Sequence, residues 1–341
     1  MKLLLILASF VLVFILGIGM GKTYFQNIGL ISPLGNIVNK ITEKPLEKYT
    51  FASLSKKHFL PSAIKLGKPL KDEENFTSYE FSYTVDGKKV SGLMNLPKTA
   101  GTYPVLLLLR GFVPREIYTT GEGTRRTGEY FATQGFITLA PDFLGYGHSD
   151  DPSANGVEER FQTYTTVLTL LESIKNLNTT LTATDSGEIR AETEKIGIWG
   201  HSNGGHIALA ILGITGKSYP TVLWNPVSKP FPYSILYFTD EYDDNGKALR
   251  KVVADFEKDY NAEKYSPTNF YKNIKAPIQL DQAVDDEEVP IRWSNQLESK
   301  LKDLGVPVAY TMYPGENHNF NNGSWPQVAK NSSDFFKIML Q

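Results

Sequence analysis

The chain of 341 residues contains no cysteine. Disulfide bonds, thiol nucleophiles, cysteine-linked lipids and cysteine-based zinc sites are therefore excluded. The chain also has little net charge: 35 Lys and Arg residues against 37 Asp and Glu residues leave −2. This balance gives no electrostatic reason to expect nucleic acid as a partner. The sequence shows no internal repeat, and its 41% hydrophobic and 21% charged content is typical of a globular protein.

Long apolar runs are also scarce, and the one that occurs is Leu3–Met20, with Ser9 as its single polar side chain. As a helix it would extend about 27 Å, close to the roughly 30 Å of a hydrocarbon core. A cleaved signal peptide, which would make the protein secreted, is the alternative, but the run is long for one and lacks an Ala-x-Ala-like site. We predict a membrane anchor in residues 1–21, a linker in 22–70 and a body outside the cytoplasm.

Residues 71–341 alternate between strand-like and helix-like segments. A hairpin is predicted where Phe76–Val85 is followed by Asp86-Gly87 and Val90–Leu96. Further strands are predicted at 105–109, 136–140, 195–199, 221–224, 278–283 and 308–312, and helices at 128–133, 161–177, 204–214, 291–304 and 327–340. This alternation predicts a doubly wound, mostly parallel α/β sheet with helices on both faces and the hairpin at its edge. The long segment 227–274 interrupts the pattern and is interpreted as a lid-like insertion.

The motif that carries chemistry is Gly200-His201-Ser202-Asn203-Gly204. It lies between the strand-like run 195–199 and the helix-like run 204–214. A Gly-x-Ser-x-Gly sequence in this context predicts a sharp turn that presents the serine hydroxyl as a nucleophile. Glycines are needed at both ends because strand and helix pass close to each other.

An activated serine needs a base, and the base needs an acid that orients it. His318 is the candidate base because it follows a strand at the carboxyl edge of the sheet, where Ser202 must also lie. His148 is a weaker candidate, and His201 and His206 are interpreted as packing residues. The acid is expected in the loop after strand 278–283. This loop offers Asp285, Asp286, Glu287 and Glu288, and Asp281 lies in the strand itself. We predict Asp286, with its neighbour Asp285 as the alternative.

The oxyanion of the reaction needs two hydrogen-bond donors. The backbone N–H of Asn203 is the first candidate, because it follows the nucleophile directly. The second is the N–H of Phe112, in the loop after strand 105–109. Arg110 in that loop either points at the site or lies in solvent.

Several sequence segments resemble those of the catalytic domain of the prolyl oligopeptidase family within the α/β-hydrolase superfamily. They are Ile198–Gly205, Tyr265-Ser266-Pro267 leading to Ile274-Lys275-Ala276-Pro277, Asp286-x-x-Val289-Pro290, Tyr313-Pro314-Gly315-x-x-His318-x-Phe320, Tyr130–Phe136 and Pro141–Gly147. The resemblance implies that Ser202, Asp286 and His318 act as nucleophile, acid and base. Two departures are present: the residues before the sheet are too few for the family's propeller, and Arg110-Gly111-Phe112 lacks the tyrosine that the family's oligopeptidases use for the oxyanion. Stand-alone esterases therefore remain alternatives to peptidases.

The sequence thus predicts a serine hydrolase that cleaves an ester or a short peptide, without metal or organic cofactor. A membrane-anchored binding protein that has lost the chemistry is the alternative from another class.

Overall fold

The computed structural model describes residues 44–183, 188–240 and 242–341. Residues Pro45–Gln341 form one compact unit. The predicted anchor in residues 1–21 lies outside the described residues. Within the ranges given above, no helix is both long enough and apolar enough to cross a bilayer.

A nine-stranded sheet forms the centre of the unit. Its strands are β1 (Lys65–Asp72), β2 (Phe76–Val85), β3 (Lys88–Pro97), β4 (Gly101–Leu109), β5 (Ile137–Pro141), β6 (Ile189–His201), β7 (Thr221–Trp224), β8 (Ile278–Ala283) and β9 (Val308–Tyr313). Their order is β1-β2-β3-β5-β4-β6-β7-β8-β9. The strands from β5 to β9 pair in parallel, and β1, β2 and β3 are added antiparallel. This confirms the predicted mostly parallel α/β sheet.

The predicted hairpin forms, but it is not the edge of the sheet. Val85 pairs with Lys88, so Asp86 and Gly87 make a two-residue turn, in which both have positive φ, 47° and 82°. This conformation suits the twist of the flanking strands. The edge is β1, which the sequence analysis did not predict because its residues are mostly exposed polar side chains around Pro69 and show no alternation.

The α-helices of the described residues lie between the strands and on both faces. They are α1 (Phe51–Leu54), α2 (Arg125–Thr133), α3 (Gly156–Ile174), α4 (Leu177–Thr182), α5 (Asn203–Thr215), α6 (Tyr233–Leu236), α7 (Lys247–Asp259), α8 (Ile291–Asp303) and α9 (Trp325–Met339). The central strand β4 has five consecutive buried residues, 105–109, because helices cover it on both sides.

Part of the predicted linker belongs to the compact unit. Leu46, Tyr49 and Phe51 are buried, and the Phe51 ring lies 4.8 Å from that of Phe270. The Tyr265 hydroxyl donates a hydrogen bond to the Leu46 carbonyl, at 3.2 Å. Residues after 44 therefore cover an apolar face instead of connecting two bodies, a long-range contact that local sequence does not reveal.

The segment 227–274 packs on the first turns of α3. Phe161 of α3 lies 4.8 Å from the ring of Tyr265, 5.4 Å from Phe231 and 6.0 Å from Phe256. All four rings are buried. Aromatic burial of this kind contributes strongly to stability, so the insertion is an integral part of the hydrophobic core.

Candidate active site

The predicted turn lies at the carboxyl end of β6, the strand that ends at His201. Ser202 has φ 56° and ψ −120°, and α5 begins at the next residue. A non-glycine residue in such a conformation costs about 1–3 kcal/mol. Two backbone hydrogen bonds of 3.0 Å connect it to the end of β7 and the residues that follow: the Ser202 N–H donates to the Trp224 carbonyl, and the Val227 N–H donates to the Ser202 carbonyl. The half-buried serine is thus held in a strained corner at the sheet edge.

Close backbone approach explains the glycines of the motif. A Cβ on Gly204 would lie 1.9 Å from the Leu109 carbonyl oxygen, and a Cβ on Gly200 would lie 2.6 Å from the Gly204 oxygen. Gly205 is equally restricted, because its Cβ would lie 2.5 Å from Pro226. The expectation that only glycine fits at 200 and 204 is confirmed.

His318 and Asp286 are brought together from two loops. The Asp286 carboxylate oxygens lie 3.0 and 2.9 Å from His318 Nδ1. The Asp286 side chain is fully buried and that of His318 is 9% exposed. The backbone N–H groups of Glu288 and Val289 donate to Asp286 Oδ1 at 2.8 and 2.7 Å. A carboxylate held in this way can orient an imidazole so that Nε2 is free to accept a proton.

The two neighbours of Asp286 also bind the loop after β9, residues 314–324, which contains His318 and is the histidine loop. Asp285 Oδ2 accepts from the Gly315 N–H at 2.9 Å, and Glu287 Oε2 accepts from the His318 N–H at 3.2 Å. The alternative acid Asp285 is therefore bonded to backbone and not to the imidazole. Three consecutive acidic residues connect the loop after β8 to the loop after β9. The sequence showed only an acidic cluster at this point.

Two further residues fix the carbonyl of His318. His201 Nε2 lies 2.9 Å from this oxygen, and Asn225 Nδ2 donates to it at 2.8 Å. Asn225 Oδ1 also accepts from the Ala283 N–H at 2.7 Å, so this side chain links β8 to the histidine loop. The rings of His201 and His318 are 4.6 Å apart. Because His201 precedes Ser202, these contacts place the histidine loop next to the serine turn.

His201 is thus more than the packing residue that the sequence suggested. It is buried, and burial, with a smaller effect from His318, lowers its pKa to about 3. The neutral ring donates one N–H, and the His318 carbonyl is the acceptor at hand. Neither this role nor that of Asn225 has a motif that sequence reading could have found.

The candidate oxyanion donors lie beside Ser202. Among the described residues, none accepts a hydrogen bond from the backbone N–H of Asn203 or Phe112. Gly111 approaches the serine so closely that a Cβ on it would lie 3.0 Å from Ser202 Cβ. The Phe112 side chain itself is 71% exposed. Asn203 and Phe112 line the same cavity, and N–H groups without acceptors are what an oxyanion hole requires.

Arg110 stabilises the loop after β4 that contains Phe112. Its guanidinium is buried and donates to the carbonyls of Gly111 and Asp142 at 2.9 and 3.1 Å. It also lies 3.9 Å from the centre of the Tyr146 ring. Of the two orientations predicted for Arg110, the solvent-exposed one does not occur.

The remaining candidates lie elsewhere. His148 is exposed, and its Nδ1 lies 2.8 Å from the Glu80 carboxylate on β2. His206 is buried, with Nε2 3.3 Å from the Tyr164 hydroxyl. Burial, and then the nearby Arg160, lower its pKa to about 4. Asp281 is buried and bonded to Gln279 and Tyr313, and burial raises its pKa to about 7.

Two cavities adjoin the serine turn. The smaller cavity, of about 180 Å³, is lined by Asn203, Phe112 and Arg160 among others. The larger cavity, of about 510 Å³, is lined by His201 and by Asn319 and Asn321 of the histidine loop. The turn therefore has cavities on two sides, one of them lined by Asn319 and Asn321, which follow the candidate base in sequence.

Comparison with protein families and curated proteins gives consistent matches. Residues 125–341 match the model of the prolyl oligopeptidase family. A Bacillus subtilis (strain 168) protein described as uncharacterized peptidase YtmA is 27% identical over 247 residues, which cover 71% of this chain and 86% of that protein. Arabidopsis thaliana S-formylglutathione hydrolase is 28% identical over 136 residues, 38% of this chain and 43% of that protein.

Solved structures share the fold. Acetyl xylan esterase 1 from Thermoanaerobacterium sp. JW/SL YS485 aligns with a TM-score of 0.55 and 16% identity, over 86% of this chain and 94% of that one. Pyrococcus horikoshii acylaminoacyl peptidase aligns with a TM-score of 0.55 and 19% identity, over 77% of this chain but only 41% of that one. Esterases and peptidases are therefore both among the structural neighbours.

Proposed function

We propose catalytic roles for three residues of this chain, which belongs to the prolyl oligopeptidase family because the family model matches residues 125–341. The chain is a serine hydrolase. We propose Ser202 as its nucleophile, His318 as its base and Asp286 as the acid that orients the base. The bond between His318 Nδ1 and the buried Asp286 carboxylate, beside the strained serine turn, is the observation that carries this proposal.

In the proposed reaction, the Ser202 hydroxyl oxygen attacks an ester or amide carbonyl while His318 Nε2 takes its proton. The N–H groups of Asn203 and Phe112 stabilise the oxyanion. His318 then donates the proton to the leaving alcohol or amine, which leaves Ser202 acylated. Water, deprotonated by the same imidazole, attacks the acyl-enzyme. The bond to the Ser202 oxygen breaks, the imidazolium returns its proton to this oxygen, and the carboxylic acid product is released.

A fluorophosphonate probe tests the nucleophile. We expect the wild type to be labelled and Ser202→Ala to be unlabelled, because the phosphorus forms its bond to this oxygen. Equal labelling of both proteins would assign the nucleophile to another residue. Complete inertness of the wild type to probe and substrates would favour the binding-protein alternative.

Peptidase and carboxylesterase share this machinery, so the substrate class is a second proposal. The family match favours a peptide bond. The carboxylesterase is favoured by the loop Arg110-Gly111-Phe112, which lacks the tyrosine that the family's oligopeptidases use for the oxyanion, and by the near-complete overlap with an acetyl xylan esterase chain. Turnover of short-chain p-nitrophenyl esters without cleavage of proline-containing peptides would assign the esterase, and the opposite result the peptidase.

We keep membrane attachment through residues 1–21, with the catalytic unit outside the cytoplasm, as a separate proposal. Cell fractionation of the full chain and of a variant lacking residues 1–21 tests it. Equal recovery of both proteins in the soluble fraction would contradict the anchor.

A further inference from the structure

Arg160 is an unpaired cation in the smaller cavity. It lies in the first turns of α3 and is half-buried. Within the part of the chain that the structure describes, no residue accepts a hydrogen bond or forms an ion pair with its guanidinium. Burial lowers its pKa, yet an arginine stays protonated in proteins. A cation withdrawn from water without a partner is unfavourable, unless a ligand supplies the anion.

The other charged groups of the cavity are already occupied. Glu159, the carboxylate among the described lining residues, is bonded to Arg115. Arg110 donates to two carbonyls and is covered by the Tyr146 ring, and its Nε, which has no partner among the described residues, is fully buried and out of reach of a ligand. His206 is neutral at ordinary pH because burial and Arg160 lower its pKa. Arg160 is therefore the cation that is left for a ligand.

The smaller cavity borders the proposed oxyanion donors, and the larger cavity borders the histidine loop. The base must reach the leaving group, because it gives that group a proton. Residues of the histidine loop, Asn319 and Asn321, line the larger cavity. The smaller cavity instead contains Asn203 and Phe112, whose N–H groups are the proposed oxyanion donors, and its described lining includes no residue of the histidine loop.

We propose that this enzyme prefers substrates whose acyl part carries a carboxylate, and that Arg160 binds this carboxylate in the smaller cavity. The proposal rests on the hydrolytic function proposed above. The planar guanidinium matches a carboxylate in a bidentate geometry. The volume of about 180 Å³ is small for a ligand site, which restricts the acyl chain to a short one.

A pair of esters with the same leaving group and the same number of acyl carbons tests the preference. Mono-p-nitrophenyl adipate carries a terminal carboxylate, and p-nitrophenyl hexanoate ends in a methyl group. With spontaneous hydrolysis subtracted, we expect the wild type to show the higher kcat/KM on the adipate. We expect Arg160→Gln to reduce the adipate-to-hexanoate ratio of kcat/KM at least about 10-fold, mainly through KM, because a charged hydrogen bond is lost. Arg160→Lys keeps the charge but not the bidentate geometry of the guanidinium, so its adipate-to-hexanoate ratio of kcat/KM should fall less than that of Arg160→Gln.

Arg190→Gln serves as the matched control, since Arg190 is exposed at the start of β6, the opposite end of that strand from the serine. Its ratio should equal that of the wild type. A wild type that does not prefer the adipate, or an Arg160→Gln variant with an unchanged ratio, would overturn the proposal. An equal loss on both esters would also overturn it, because it would assign Arg160 a structural role. Failure of the hydrolytic function itself looks different: neither ester is turned over and no fluorophosphonate label appears.

Discussion

The serine turn and the histidine loop meet at one edge of the sheet but are held in different ways. The turn is held by the backbone: two hydrogen bonds fix Ser202, and glycines permit the close contact of strand and helix. The histidine loop is held by side chains from three other segments, the acidic cluster 285–287, His201 and Asn225, and by the carboxylate of its own Glu316. Glu316 accepts from the N–H groups of Asn322 and Ser324, at 2.9 and 2.6 Å. An atom added at the glycines around the proposed nucleophile should therefore destabilise the protein strongly. Removing single side chains around the proposed base should reduce activity in steps of different size.

The largest effect is expected at the bond between base and acid. Asp286→Asn keeps the size of the side chain but offers His318 Nδ1 an amide, which favours the wrong tautomer. We expect kcat/KM to fall by about 10,000-fold, equivalent to about 5.5 kcal/mol, when ester hydrolysis is measured with saturating and limiting substrate. Asp285→Asn is the matched control, because Asp285 bonds only the Gly315 N–H. A larger loss in Asp285→Asn than in Asp286→Asn would exchange their roles.

The backbone turn is tested by adding one methyl group. The Cβ of Gly204→Ala would lie 1.9 Å from the Leu109 carbonyl oxygen, a contact that neither backbone segment can relieve alone. We expect the free energy of unfolding to fall by more than about 3 kcal/mol, beyond the usual cost of overpacking, as measured by urea denaturation. Gly156→Ala, where a Cβ meets no atom within 4 Å, should be neutral or slightly stabilising because alanine is a better helix former than glycine at the first residue of α3. Similar destabilisation in both variants would contradict the close contact.

A smaller, graded effect is expected at His201. His201→Leu removes the hydrogen bond to the His318 carbonyl, so the base is less well held and kcat should fall by about 10-fold, or about 1.4 kcal/mol. His201→Gln can still donate to this carbonyl and should restore part of kcat. KM for a short ester should change little in both variants, because His201 does not line the smaller cavity. If kcat of His201→Gln is no higher than kcat of His201→Leu, the hydrogen bond to the His318 carbonyl does not explain the effect of His201.

The smallest effect is a pH dependence of stability at His206. Burial lowers the pKa of this histidine to about 4, against about 6.5 in an unfolded chain. Its contribution is present above pH 6.5 and is lost as the pH falls toward 4, because only the unfolded chain takes up the proton in this range. We expect His206→Gln to reduce the slope of unfolding free energy against pH by at most about 1.4 kcal/mol per unit, measured by denaturation at several pH values. A slope in His206→Gln equal to that of the wild type would contradict this contribution of the buried histidine.

Local contacts explain which elements were predicted correctly. The hairpin turn at Asp86-Gly87, the buried run of β4 and the turn around Ser202 all depend on residues adjacent in sequence, so their patterns were readable. β1 was missed because an exposed edge strand needs no apolar alternation. The first residues of the unit were placed in a linker because Leu46 and Phe51 bury themselves against residues more than 200 positions away.

The amino-acid sequence by itself determined the alternation of strands and helices, the strained serine turn and the residue types available as base and acid. Backbone sterics and hydrophobic periodicity act over a few residues, and the sequence displays them directly. Only the tertiary structure decided that Asp286 faces the imidazole while Asp285 and Glu287 bind backbone, and that His201 and Asn225 hold the His318 carbonyl. It also decided that Arg160 lines the same cavity as Asn203, where no described residue accepts a hydrogen bond from its guanidinium. These relations depend on where loops from distant parts of the chain meet at the sheet edge, and hydrogen-bond geometry there is set by the packing of the whole unit.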